Sequence, residues 1–170
     1  MGDDIAKKFI DLLTRYLGDN MMSAAKVIED DKATGVIIPR KSKNATWNMN
    51  LSVDPEIGLV VVSSSVISII RDRVRDAREL LSYINGTSFL TSWVFDEDEL
   101  EVIAHSTYIA PSENFSGLPI VLDDHAEQID KWFNSWYRLN STNDHPKRIY
   151  MSAMKDMDRS DRDDGDSEDS

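Results

Sequence analysis

The stretch that decides the fold is FLTSWVFDEDELEVIAHSTYI, residues 89–109. Residues 89–95 alternate between two sets of side chains, which is the period of a β-strand. The acidic run 96–99 predicts a turn, and the alternation resumes over 100–109. The stretch therefore predicts an antiparallel hairpin. Trp93 lies in the middle of its first strand, and we expect this side chain to be buried.

A helix is predicted on each side of this hairpin. Ser68 is placed to cap the first helix, whose apolar residues then step by three and four until Asn85 ends it. The second helix is expected to begin at Asp123 or Asp124, where acidic side chains favour a helix N-terminus, and to reach Leu139. The hairpin is thus flanked by elements that can cover one of its faces.

The N-terminal part adds a further helix and more strands. Apolar spacing predicts a helix from Asp3 or Asp4 to Leu17, and short strands are expected over 26–30 and 35–39. Residues 46–53 alternate without exception and form a predicted hairpin with 59–63. The order of elements predicts an α+β fold, a twisted antiparallel sheet of about five strands with helices packed mainly on one face.

The apolar periodicity stops after Leu139. Asp156 to Ser170 hold eight acids and two arginines, so half of the net charge of −12 lies there. A polar segment without apolar groups cannot offset the entropy of ordering. We therefore expect one domain over residues 1–139 and a disordered acidic tail over 140–170.

Charge and hydropathy limit the classes of partner. Nonspecific affinity for nucleic acid requires a basic surface, which an acidic chain lacks. No apolar run approaches the roughly 20 residues that span a bilayer, and the acidic start of the chain is unlike a signal peptide. The absence of cysteine fits a reducing compartment. We expect a cytoplasmic protein with neither nucleic acid nor membrane as partner.

The sequence contains no pattern typical of catalysis or metal binding. His105, His125 and His145 share no chelating spacing, and the Asp123-Asp124-His125 run is explained as a capping cluster. The serines at 63–65 lack the flanking glycines of a nucleophile elbow. We therefore predict a protein that is not an enzyme, with no metal and no cofactor.

The aromatic residues of the last predicted helix allow two interpretations. Most aromatic side chains fall on stripes that the sheet and helices must bury. The helix is nevertheless apolar over a wide arc, so one of its aromatics can line an exposed groove or a dimer interface instead. The candidate partner-binding residues are Trp132, Trp136 and Tyr137.

Three segments carry a resemblance to a known family: ARELLSYIN at 77–85, SWVFDEDELEV at 92–102, and the helix predicted over 123–139. This combination resembles the YbjN family, in particular its stand-alone actinobacterial members, and that family is similar in fold to type III secretion chaperones. The resemblance covers about residues 3–139. It implies a non-catalytic domain that binds proteins or peptides in the manner of a small chaperone, and it supplies no catalytic residue.

Two functions remain open at this stage. The first is a protein- or peptide-binding module of chaperone type, which binds apolar segments of a partner through an edge strand or a groove. The alternative is a structural or regulatory homodimer without chaperone activity, whose surplus aromatic residues serve self-association. An enzyme acting on a small molecule ranks behind both.

Overall fold

The computed structural model describes residues 2–29, 34–111 and 114–163. All six strands are antiparallel and follow the order β1-β2-β3-β4-β6-β5. The strands are β1 Lys26–Glu29, β2 Thr34–Lys41, β3 Thr46–Asp54, β4 Leu59–Ser68, β5 Thr91–Asp96 and β6 Glu101–Ile109. The helices are α1 Gly2–Leu17, α2 Asp19–Ala24, α3 Val74–Asn85, α4 Leu118–Ser141 and α5 Pro146–Asp163. The α+β prediction is confirmed, with six strands where about five were expected.

One face of the sheet is buried because its strands alternate as the sequence indicated. In β3, every second side chain from Trp47 to Val53 is buried and the residues between them are not. Trp93 in β5 is only 2% exposed, so its predicted burial is confirmed. Helices α1, α3 and α4 supply the opposing core through Phe9, Leu80 and Ile129 among others. The sheet is therefore covered mainly on one side.

Two helix starts differ from the prediction. Helix α4 begins at Leu118, five residues before Asp123, with a proline in its first turn whose backbone angle already suits a helix. Asp123 and Asp124 therefore lie inside the helix and do not cap it. Ser68 is the last residue of β4, and α3 begins only at Val74, after a short 3-10 turn.

The prediction of a disordered tail over 140–170 is wrong for its larger part. Helix α5 occupies Pro146–Asp163 and packs on α3 and α4, with Ile149 only 1% exposed. Its apolar stripe is interrupted by lysine and aspartate residues, so the segment reads as polar on average although one face is apolar. Residues 164–170 lie outside the described residues. The stripe consists of Ile149, Tyr150, Ala153, Met154 and Met157.

Candidate functional site

The three aromatic candidates of α4 have different environments. Trp132 and Trp136 are fully buried, and Trp136 packs against Trp93 with ring centroids 5.9 Å apart. Tyr137 is 59% exposed. Two of the three predicted partner-binding residues thus belong to the core of this chain, and Tyr137 is the one on the surface.

Helix α5 fills the place where a groove was expected on α4. The Tyr150 ring stacks on Trp132 at 5.7 Å with 6° between the ring planes, and it also contacts the Tyr83 ring at 5.4 Å. Tyr150 therefore joins α5 to both α4 and α3. Helix α4 has the wide apolar arc that the sequence predicts, but α5 of the same chain covers it.

A buried polar network links three strands to α4. His125 is fully buried, with Nε2 2.9 Å from Ser64 Oγ of β4 and Nδ1 2.9 Å from Ser106 Oγ of β6. Ser106 Oγ lies 3.0 Å from Thr91 Oγ1 of β5, and Thr91 donates to Asp124 Oδ2 at 2.6 Å. The network therefore crosses β4, β6 and β5 and ends on the carboxylate beside His125.

The direction of each hydrogen bond in this network follows from the Asp124 carboxylate, which only accepts when ionised. Thr91 gives its one hydroxyl proton to Asp124, so Ser106 must donate to Thr91. Ser106 then accepts from Nδ1–H of His125, and the unprotonated Nε2 accepts from the Ser64 hydroxyl. Every polar group is satisfied by a neutral His125.

Burial is the larger cause and the charge of nearby His105 the smaller cause that together lower the pKa of His125 to about 4. The pair of Ser64 and His125 resembles half of a hydrolase triad, but both residues are fully buried and no substrate can reach the serine. The network therefore stabilises the fold rather than performing chemistry. Sequence reasoning missed it because Ser64 and Ser106 look like ordinary polar members of alternating strands.

No helix of the described residues covers the second face of the sheet, and the middle of this face is nearly free of charged side chains. One row across the sheet reads Ile37, Asn50, Ser63, His105 and Ser92 in neighbouring strands. Its charged side chains lie toward the margins. Such a patch on a chain with 31 acidic residues is typical of a contact surface. Its apolar members include Ile28, Leu59, Val61, Val94, Ile103 and Ile109.

The β5 edge of the sheet is closed by one side chain. Asn85, the last residue of α3, accepts a hydrogen bond from Trp93 N–H at 2.7 Å and donates to Trp93 C=O at 2.8 Å. Its amide thus makes the two hydrogen bonds that a neighbouring strand would make. The sequence predicted only that Asn85 ends a helix. Its hydrogen bonds to Trp93 depend on the packing of α3 beside β5, which no local pattern indicates.

The β1 edge is different. β1 pairs with β2 on one side and is the outermost strand among the described residues. Val27 and Ile28 are each 44% exposed, and they point to opposite faces because Val27 is opposite the buried Val36. This edge therefore offers free main-chain groups between two apolar side chains.

The described residues contain neither a metal-binding cluster nor a membrane-spanning helix. Within 2–29, 34–111 and 114–163, no group of three or more His, Asp or Glu side chains is arranged to hold a metal ion. In the same ranges, no helix combines the length and apolar character that a membrane crossing requires.

No protein-family model and no curated protein matches this chain. Among solved structures, the chain is similar to YbjN from E. coli, a proposed transcription regulator, with 18% sequence identity and a TM-score of 0.46. The similarity covers 73% of this chain and 87% of YbjN. The two chains are similar in fold.

Proposed function

We propose that this chain is a non-catalytic protein-binding module of chaperone type, which takes up an extended apolar segment of a partner protein along β1. The observation that carries the proposal is the difference between the two sheet edges. Asn85 closes the β5 edge at Trp93, whereas β1 leaves Val27 and Ile28 partly exposed.

The chemistry of an edge strand favours an extended ligand. A segment that pairs with β1 gains main-chain hydrogen bonds, and its alternate side chains contact alternate faces of the sheet. One set of side chains would lie beside Val27, and the other beside Ile28 on the open face. The ligand is therefore expected to have apolar residues at two adjacent positions, one beside Val27 and one beside Ile28.

The open face supports the same class of partner. Ile28 is followed across this face by Gly35, Ser52 and Val61, a row without a charged side chain. A partner whose chain continues past β1 can cover this row without desolvating an unpaired charge. The occupant is thus an apolar segment rather than a charged one.

Binding is tested with fluorescent peptides of extended apolar sequence, read out by anisotropy. We expect affinities in the micromolar range, on the order of −8 kcal/mol, because few side chains are buried and association itself costs free energy. Two N-methylated peptides locate the contact, since alternate N–H groups of an added strand point toward β1. Methylation in one register should abolish binding, and methylation in the other should not.

A matched pair of variants tests the position of the site. Ile28→Lys places a charge at the β1 edge, and Ile57→Lys makes the same change in the β3–β4 turn, where Ile57 is 63% exposed. Only Ile28→Lys should weaken peptide binding, by about tenfold or more. Equal effects of the two variants, or no binding by any peptide, would remove the support for β1 as the site.

A second copy of the chain is the competing occupant of β1. Two β1 edges can pair about a two-fold axis, which would make the protein a homodimer without a client. The net charge of −12 on each copy opposes such pairing at low salt. Light scattering measures the oligomeric state and so distinguishes the two occupants. A monomer at micromolar concentration supports the peptide-binding proposal. A dimer that Ile28→Lys dissociates supports the homodimer.

A further inference from the structure

We propose that the groove between α3 and α4 is a second binding site, specific for an amphipathic helix, and that α5 occupies it in cis until a partner helix replaces it. This inference is independent of the strand-addition site at β1. The occupant is defined by α5 itself, which shows the spacing that the groove accepts.

The contact made by α5 is narrow. Of residues 146–159, only Pro146 and Ile149 are fully buried. The ring of Tyr150 makes the aromatic contacts of the helix, with Trp132 and with Tyr83. The remaining apolar contacts come from one alanine and two methionines, and methionine side chains adapt readily to different partners.

The second half of α5 fits its groove incompletely. A cleft of about 440 Å³ lies where α4 and α5 meet the β2–β3 turn, bordered by Lys131 and Ser135 of α4, by Ala153 and Met157 of α5 and by Lys43 and Asn44 of the turn. Asp130 also borders it, and its buried Oδ1 finds no hydrogen-bond partner among the described residues. A flank of α5 that faces this cleft lacks packing partners there, and a buried carboxylate oxygen without a hydrogen bond also reduces the free energy that holds α5 in place.

The connection to α4 allows α5 to leave without disturbing the sheet. A short turn, 142–145, joins the two helices, and its Asp144 carboxylate pairs with Arg138 at 2.7 Å. Arg73 of the 3-10 turn donates to the Asp144 carbonyl at 2.7 Å. These contacts hold the turn on the domain, while no strand pairing depends on the helix that follows. The turn is therefore a fixed hinge.

The replacing helix must reproduce the stripe of α5. Its apolar residues follow the spacing of positions 149, 150, 153, 154 and 157, with an aromatic ring at the second position to stack on Trp132. The other positions are polar. The partner is thus an amphipathic helical segment and not an extended one, which separates it from the ligand of β1.

The experiment uses the full chain and a fluorescent peptide of residues 144–163. Tyr150→Ser in the protein removes the ring that stacks on Trp132 and weakens the cis competitor, so the peptide should bind at least about tenfold more tightly than to the unaltered chain. Met151→Ser is the matched control, since Met151 is 47% exposed on the same helix. It should leave peptide affinity unchanged, as should Ile28→Lys at β1.

Hydrogen exchange on the unaltered chain tests the proposal even if Tyr150→Ser fails to fold. Amides of α5 should exchange through a local opening, faster than those of the buried turns of α4. The proposal is overturned if α5 exchanges only with global unfolding, or if a folded Tyr150→Ser chain binds the peptide no better than the Met151→Ser chain does. A peptide with serine at 149 and 150 should not bind, and its binding would also contradict the proposed stripe.

Discussion

The two edges of the sheet differ in whether a side chain pairs with the main-chain groups of the edge strand. At β5, the Asn85 amide satisfies both main-chain groups of Trp93, and α3 lies alongside. At β1, two half-exposed apolar side chains flank an edge that, among the described strands, pairs with β2 alone. An edge strand is a liability that proteins usually block. Among the described residues, a side chain blocks one edge and not the other, and this difference is the basis of the strand-addition proposal.

Trp93→Ala should have the largest effect on stability, because Trp93 anchors the β5 edge to the core. Trp93 is 2% exposed and packs on Trp136, so the variant should lose about 3–5 kcal/mol in denaturant unfolding. Val94→Ala on the same strand is the control, because Val94 is 46% exposed and should cost under about 1 kcal/mol. Equal losses would show that β5 does not separate core from surface as described.

The buried His125 network, which joins β4, β6 and β5 to α4, should make the free energy of unfolding decrease in acid. The pKa of His125 falls from 6.5 to about 4 on folding, so the unfolded chain binds the proton first and stability declines as pH falls from 6.5 to 4. The full contribution, about 3 kcal/mol, is present above pH 6.5. His125→Gln should remove this decline, measured by unfolding at several pH values. Parallel profiles for the two chains would contradict a neutral, buried His125.

Asn85→Ala should open the closed edge. Losing the amide leaves the N–H and C=O groups of Trp93 without these partners, and about 1–3 kcal/mol of stability should be lost. Asn48→Ala, an exposed position on the open face, should change stability by less than about 0.5 kcal/mol. Light scattering should also reveal increased self-association of Asn85→Ala alone. A variant as stable and as monomeric as the parent would show that the amide does not protect the edge.

The smallest effect on stability is expected at the open edge. Ile28→Lys and Ile57→Lys should each change the free energy of unfolding by less than about 1 kcal/mol, since both side chains are well exposed. Thermal unfolding of the two variants checks this. A large loss for Ile28→Lys alone would mean that Ile28 contributes to the core, and its effect on peptide binding would then report on folding.

Much of the sheet was predictable because alternation is a local property. β3 shows it without exception, and its buried and exposed residues are those that the sequence indicated. The start of α4 was misplaced because Asp123 and Asp124 resemble caps, whereas both are used elsewhere. Asp124 accepts from Thr91, and Asp123 accepts from Tyr16, whose pKa is raised to about 12 by burial and by that hydrogen bond.

Helix α5 shows the limit of composition as a guide. Its five core-facing residues are spaced as a helical stripe, but the charged residues between and after them make the segment polar on average. The stripe is too narrow to predict a stable helix alone, since most helical stability comes from tertiary packing. The Tyr150 ring is held by contacts with Trp132 and Tyr83, and the sequence around Tyr150 does not predict these contacts.

The sequence by itself determined the α+β class, the alternating faces of the strands and the burial of Trp93, because each depends on the period of a single segment. Only the tertiary structure decided that Asn85 closes an edge, that His125 completes a buried network and that α5 covers Trp132. These features join residues 8 to 61 positions apart in the chain. Such contacts depend on how the helices and strands pack together, and the periodicity of a single segment does not predict them.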